Sequence, residues 1–111
     1  MGGHFPMWLK SAMLLAFALL LAAESSASAT DAARGHALAR ANCAMCHAVE
    51  KTGESPHNKA PPFRVLHQRY PVESLEEALA EGIVTGHPDM PEFKLEPSQI
   101  GDFIAYLRTL E

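Results

Sequence analysis

The residues able to do chemistry gather in one short stretch, "ANCAMCHAVE", Ala41 to Glu50. It holds both cysteines of the chain, Cys43 and Cys46, three apart, with His47 directly after the second. Two thiols at that spacing can close a disulfide, exchange thiols, supply part of a zinc site, or carry a covalently attached cofactor. A thioredoxin-like pair needs a βαβ context, and here the preceding segment reads as a helix. A disulfide over so small a loop constrains little and leaves His47 without a purpose. A structural zinc site needs four ligands, more than two cysteines and one adjacent histidine provide.

Cys43-Ala44-Met45-Cys46-His47 matches the C-x-x-C-H signature of c-type haem attachment. The chemistry accounts for the spacing. Two thiols add to the two vinyl groups of one porphyrin, so they must lie a fixed distance apart on one side. Residues i, i+3 and i+4 share a helix face, so the His47 imidazole is expected beneath the ring that the sulfurs pin. His47 Nε2 is then the proximal iron ligand, and its Nδ1–H is expected to seek a backbone carbonyl.

The other face of the iron needs a ligand or a vacancy. Methionine is the high-potential choice. After the N-terminal leader described below, the chain holds two methionines. Met45 lies between the attachment cysteines and cannot reach round the ring. Met90, in "GHPDMPEF", follows His47 by 43 residues on a loop rich in helix breakers. Closure entropy grows only logarithmically with loop length, so that separation is no obstacle. Pro88 and Pro91 flank the methionine and reduce the disorder lost on ligation. His87 is the rival ligand, one that lowers the potential. His36, His57 and His67 read as surface or hydrogen-bonding residues.

The elements that must position these groups are helical. "TDAARGHALARANCAMCHAV" is Ala-rich and free of Pro, with Thr30 or Asp31 as N-cap, and reads as a helix running up to the cysteines. "EKTGESPHNKAPPF" is loop, punctuated by Gly53, Pro56, Pro61 and Pro62. "PVESLEEALAEG" begins with Pro71 and ends with Gly82, the usual helix asymmetry. Its apolar Val72, Leu75 and Leu79 fall three and four apart. "IVTGHPDMPEFKL" is too interrupted for a helix or a long strand. Ile100, Phe103, Ile104, Leu107 and Leu110 mark the best amphipathic helix, with Pro97 in its first turn. The expected architecture is all-α: three or more helices with long loops. Two loops of that length need an organiser, and a flat apolar macrocycle wrapped by them would serve.

Ahead of this domain, Lys10 precedes an apolar run from Ser11 to Ala23 and a small-residue tract ending Ala27-Ser28-Ala29. That is the order of a secretory signal. The run of 13 residues is short of the ~20 a permanent membrane helix needs. The expected organisation is a cleaved signal peptide over 1–29, with a cut near Ser26 also open, and a domain over 30–111. Export leads to an oxidising compartment, most simply the periplasm. The formal net charge is −4. Removing the leader takes away Lys10 and Glu24 and leaves that balance unchanged. With no basic stripe, a nucleic-acid partner is excluded.

The domain resembles a small single-haem class I cytochrome c over its whole length. The resemblance rests on C-x-x-C-H, on Gly35 eight residues before Cys43, on "IAYL" (Ile104 to Leu107), on "APPF" (Ala60 to Phe63) and on "GHPDMPEF". It implies a few helices around one haem c, attached through Cys43 and Cys46. It implies that Gly35 lies where the first helix crosses the last, with Tyr106 packing there. Pro61 is the implied carbonyl partner of His47, and Phe63 packs on the haem. One departure is Ala39, where relatives often carry an aromatic four residues before the first cysteine. The lysine ring around an exposed haem edge is also absent. Glu73, Glu76, Glu77 and Glu81 mark the middle helix as a solvated acidic face or as a docking surface for a basic patch, the latter with transfer rates that fall with ionic strength.

The function these readings imply is one-electron transport between larger redox proteins, with iron held by His47 and Met90 and no substrate transformed. Donor and acceptor are unspecified, and the protein is a monomer or a subunit of a redox complex without membrane insertion after signal cleavage. The alternatives are a haem subunit of a dehydrogenase, with the same ligands, and a five-coordinate sensor or peroxidase haem if Met90 is not a ligand.

Overall fold

The computed structural model describes residues 2–4, 6–8 and 29–111. Of the expected signal segment, residues 1, 5 and 9–28 lie outside the described residues. From Ala29 onward the chain forms three α-helices: α1 (Ala32–Asn42), α2 (Leu75–Glu81) and α3 (Pro97–Arg108). Two 3-10 turns, Phe63–Gln68 and Val72–Ser74, join α1 to α2. Among the described residues the extended pairing is limited to an isolated antiparallel bridge between Ile83 and Phe93. The domain is all-α, as the sequence pattern predicts.

Each helix has a local cause. Asp31 caps α1 by accepting from the backbone N–H groups of Ala33 at 2.8 Å and Arg34 at 3.2 Å, which satisfies donors that have no partner within the helix. α3 opens with Pro97 in its first turn and a reciprocal capping box between Glu96 and Gln99. The middle segment starts later than its pattern suggests. Val72–Ser74 winds as a 3-10 turn and the α-helix begins at Leu75. It stops at Gly82, whose φ of 105° suits glycine.

The apolar stripe of α3 forms the centre of the core, with Ile100, Phe103, Ile104 and Leu107 all buried. Val49, Leu66, Val72 and Leu79 meet it from the rest of the chain. Burying such a side chain contributes roughly 1.5–3 kcal/mol. α1 crosses α3 at Gly35, where an added Cβ would run into the backbone carbonyl of Asp102 and come within 2.9 Å of Tyr106 Cβ. Only a residue without a side chain allows that approach.

Asp102 ties the same crossing from the other helix. Its carboxylate accepts the Asp31 N–H at 2.7 Å and the Arg34 guanidinium Nε–H at 2.9 Å. The Arg34 hydrogen bond first, and the Asp31 N–H second, hold this carboxyl below its ordinary pKa. Hydrogen bonds thus fasten the start of α1 to α3, a few residues from where Gly35 lets the helices close.

Candidate functional site

α1 ends at Asn42, and Cys43 is its C-cap. The attachment motif therefore sits on the turn just past the helix. Cys46 N–H and His47 N–H donate to the Cys43 carbonyl at 3.2 and 2.9 Å, so one oxygen gathers the three residues into a single bend. That keeps the i, i+3, i+4 arrangement without a continuous helix. Met45, between the cysteines, points outward and is 88% exposed.

The chain after the motif folds back and clamps it. His57 N–H donates to the Cys46 carbonyl at 3.1 Å, and Phe63 N–H to the Ala48 carbonyl at 2.9 Å. Ala48 N–H donates to Ser55 Oγ at 2.9 Å. Tyr106 of α3 donates its hydroxyl to the Val49 carbonyl at 2.5 Å. The loop from Glu50 to Pro62 is irregular in φ and ψ but well tied.

His47 receives its orientation from this loop. Its Nδ1 lies 2.8 Å from the Pro61 carbonyl. A carbonyl only accepts, so Nδ1 carries the proton and Nε2 is left with its lone pair free for a metal. Phe63 lies against the imidazole at 5.0 Å between centroids, tilted by 40°, and packs edge-on to Phe103. Pro61 and Phe63 thus come together with His47 as a unit.

The motif borders a cavity of about 730 Å³, within the range of cofactor pockets. Its walls are mainly apolar, with Leu38, Leu66, Leu79, Phe93 and Phe103 among them, and Cys43, Cys46, His47 and Met90 all line it. Met90 is half-buried and comes from the loop after α2. Leu38 lines this cavity beside Ala39, which is fully buried. His87 also borders the cavity, and its Nδ1 accepts the Asp89 N–H at 3.3 Å.

No disulfide joins Cys43 to Cys46. Before attachment, burial holds the Cys43 thiol up at about 11, away from the low pKa of a thiol-exchange cysteine. Among the described residues no group of three or more His, Cys, Asp or Glu could hold a metal ion unaided. The donor set fits a porphyrin instead: two sulfurs for its edge, an imidazole nitrogen for its metal, and apolar walls for its faces.

Three features near this site have partners or shapes that the sequence does not specify. The Phe63–Gln68 turn, which buries Phe63 and Leu66, follows the Pro-rich loop that ends at Phe63, and no pattern in the sequence assigns an element to residues 64–68. His36 is a hydrogen-bonding residue as expected. Its Nε2 meets the Glu50 carboxylate at 2.8 Å, and its ring stacks on Tyr106 at 4.6 Å. His57, read from the sequence as a surface or hydrogen-bonding residue, lies at the cavity rim with its Nε2 3.1 Å from Asp89 Oδ2. The two are far apart in sequence, and no local pattern announces such a pair.

A helical domain with a C-x-x-C-H bend beside an apolar cavity defines a small haem-binding carrier. The chain belongs to the cytochrome c family, whose model matches residues 32–111. It is 37% identical to a cytochrome c-552 of Bradyrhizobium diazoefficiens over 86 residues, covering 78% of this chain and 81% of that one. It is 33% identical to a cytochrome c-553-like protein of Synechocystis sp. over 81 residues, 72% of this chain and 70% of that one. A cytochrome c6 of Nostoc sp. is 36% identical over 100 residues, 87% of each chain. No solved structure matches the chain. Membership makes the protein a haem-binding electron carrier rather than an enzyme, with other redox proteins as partners. Its haem c is covalently bound, and Cys43 and Cys46 fit the attachment motif.

Proposed function

We propose that this protein is an exported, periplasmic one-electron carrier whose single haem is ligated by His47 and Met90. Residues 1–29 act as the signal peptide, and residues 30–111 form the working domain. The observation that supports the ligation is the Pro61 carbonyl 2.8 Å from His47 Nδ1, which leaves the lone pair of Nε2 available to a metal. Met90 supports the second position because it is the thioether that lines the cavity without being confined between the attachment cysteines.

When bound, the haem supplies an iron that takes up and releases one electron. The chain's own part is to hold and shield. Cys43 and Cys46 would hold the ring through their sulfurs, and Pro61 and Phe63 fix the imidazole plane. Leu38, Leu66, Leu79 and Phe103 keep water from the ring. A thioether and an imidazole as ligands would raise the potential, and the turn carrying Met90 and the loop orienting His47 are already tied by their own hydrogen bonds. The export reading rests on the charged start, apolar run and A-x-A site of the leader.

The test is expression in cells that mature such proteins. Wild-type protein is expected to keep its colour through denaturing electrophoresis and to titrate as one one-electron couple. The Cys43→Ala, Cys46→Ala double variant is expected to lose the bound haem. Colourless wild-type protein would contradict the reading.

A further inference from the structure

The loop that carries Met90 folds on itself. Met90 N–H donates to the His87 carbonyl at 3.2 Å, closing a four-residue turn with Pro88 at its second position, where proline is favoured. His87 N–H donates to Thr85 Oγ1 at 3.2 Å and Asp89 N–H to His87 Nδ1 at 3.3 Å. These bonds shape the turn from within and say nothing of where it sits on the domain.

A contact that leaves the turn does. His57 Nε2 meets Asp89 Oδ2 at 3.1 Å, across 32 residues of sequence. His57 is itself anchored to the attachment motif, because its N–H donates to the Cys46 carbonyl at 3.1 Å. Its ring is committed as well. Nδ1 accepts the Lys59 N–H at 3.1 Å, and since that amide can only donate, the proton resides on Nε2 and is given to Asp89. The ring packs edge-on against His87, 5.5 Å between centroids. Cys46, His57, Asp89 and Met90 all line the same cavity.

We propose that His57 is a positioning residue, a latch that ties the Met90 turn to the cysteine-bearing bend. The inference rests on the reading of Met90 as the second iron ligand. The latch acts on the methionine through Asp89, its immediate neighbour, and limits how far the turn swings out. An exogenous ligand can take the iron only when Met90 is off, so its apparent affinity scales with the fraction of protein in that state. Losing this exposed hydrogen bond raises that fraction by about 2- to 10-fold.

The experiment titrates the ferric holoprotein with imidazole, after recording the near-infrared thioether-to-iron band of each variant. His57→Ala and Asp89→Ala are each expected to tighten imidazole binding by about 2- to 10-fold. The double variant should go no further than the single ones. His57→Gln, whose amide N–H can still donate to Asp89, should stay close to wild type. A residue that only stabilised the fold would shift the denaturation midpoint without this pattern. Unchanged affinity in His57→Ala, or single effects that multiply in the double variant, overturns the latch. If His57→Ala does not retain haem, Asp89→Ala and His57→Gln decide the matter by the same criteria. A wild-type protein without the band overturns the Met90 reading and the latch together, whereas a band with unchanged affinity overturns the latch alone.

Discussion

The Tyr106 hydroxyl donates to the Val49 carbonyl at 2.5 Å, joining two residues 57 apart in sequence. This bond fastens the C-terminal helix to the backbone two residues beyond His47. Tyr106 therefore has two tasks, filling the gap beside Gly35 and holding the exit of the attachment motif. Tyr106→Phe keeps the ring and leaves a buried carbonyl without its partner. The expected loss is about 1–3 kcal/mol, read as a lower denaturant midpoint with the haem spectrum preserved.

Gly35→Ala is expected to be costly despite the higher helix propensity of alanine. The added methyl meets the Asp102 carbonyl, a backbone atom that cannot swing aside as a side-chain end would. Either α1 or α3 must shift, and overpacking of this kind costs typically about 1–3 kcal/mol, occasionally more. Chemical denaturation of the holoprotein measures it. A variant as stable as wild type would show that the crossing is looser than described.

Asp102 sets the direction of the acid response. Arg34, then the Asp31 N–H, lower its folded pKa below the ordinary carboxylate value. A depressed folded pKa gives stability that is fully present above the unfolded value, about 3.9, and is lost as pH falls through the folded one. Glu50, held down chiefly by His36, and Glu73, held down by its own backbone N–H and then by Arg108, act in the same sense. Acid titration of unfolding should therefore show stability falling below about pH 4, with a shallower slope in Asp102→Asn. An identical slope in that variant would remove Asp102 from the account.

Much of this was readable from residues alone, for physical reasons. Ile100, Phe103, Ile104 and Leu107 announce α3 because a helix repeats every 3.6 residues, and Pro97 marks its start. Cys43, Cys46 and His47 are legible because the chemistry of attachment fixes their spacing. The Pro61 carbonyl contact was implied by family resemblance rather than by any local rule. What escaped was of two kinds. The Phe63–Gln68 turn and the 3-10 opening of the middle helix depend on how far the core pulls Phe63, Leu66 and Val72 inward, which is a matter of tertiary packing. The pairs His57 with Asp89 and Arg34 with Asp102 join distant segments through ordinary polar residues, and a single sequence carries no mark of them.

The most direct measurement is the near-infrared sulfur-to-iron absorption of the ferric protein, alone and with Met90→Ala. The band is expected in the wild type and absent from the variant, with the wild-type ferrous protein resisting carbon monoxide. A wild-type protein that lacks the band and binds carbon monoxide readily would contradict the His47 and Met90 pair, and with it the reading of a six-coordinate carrier.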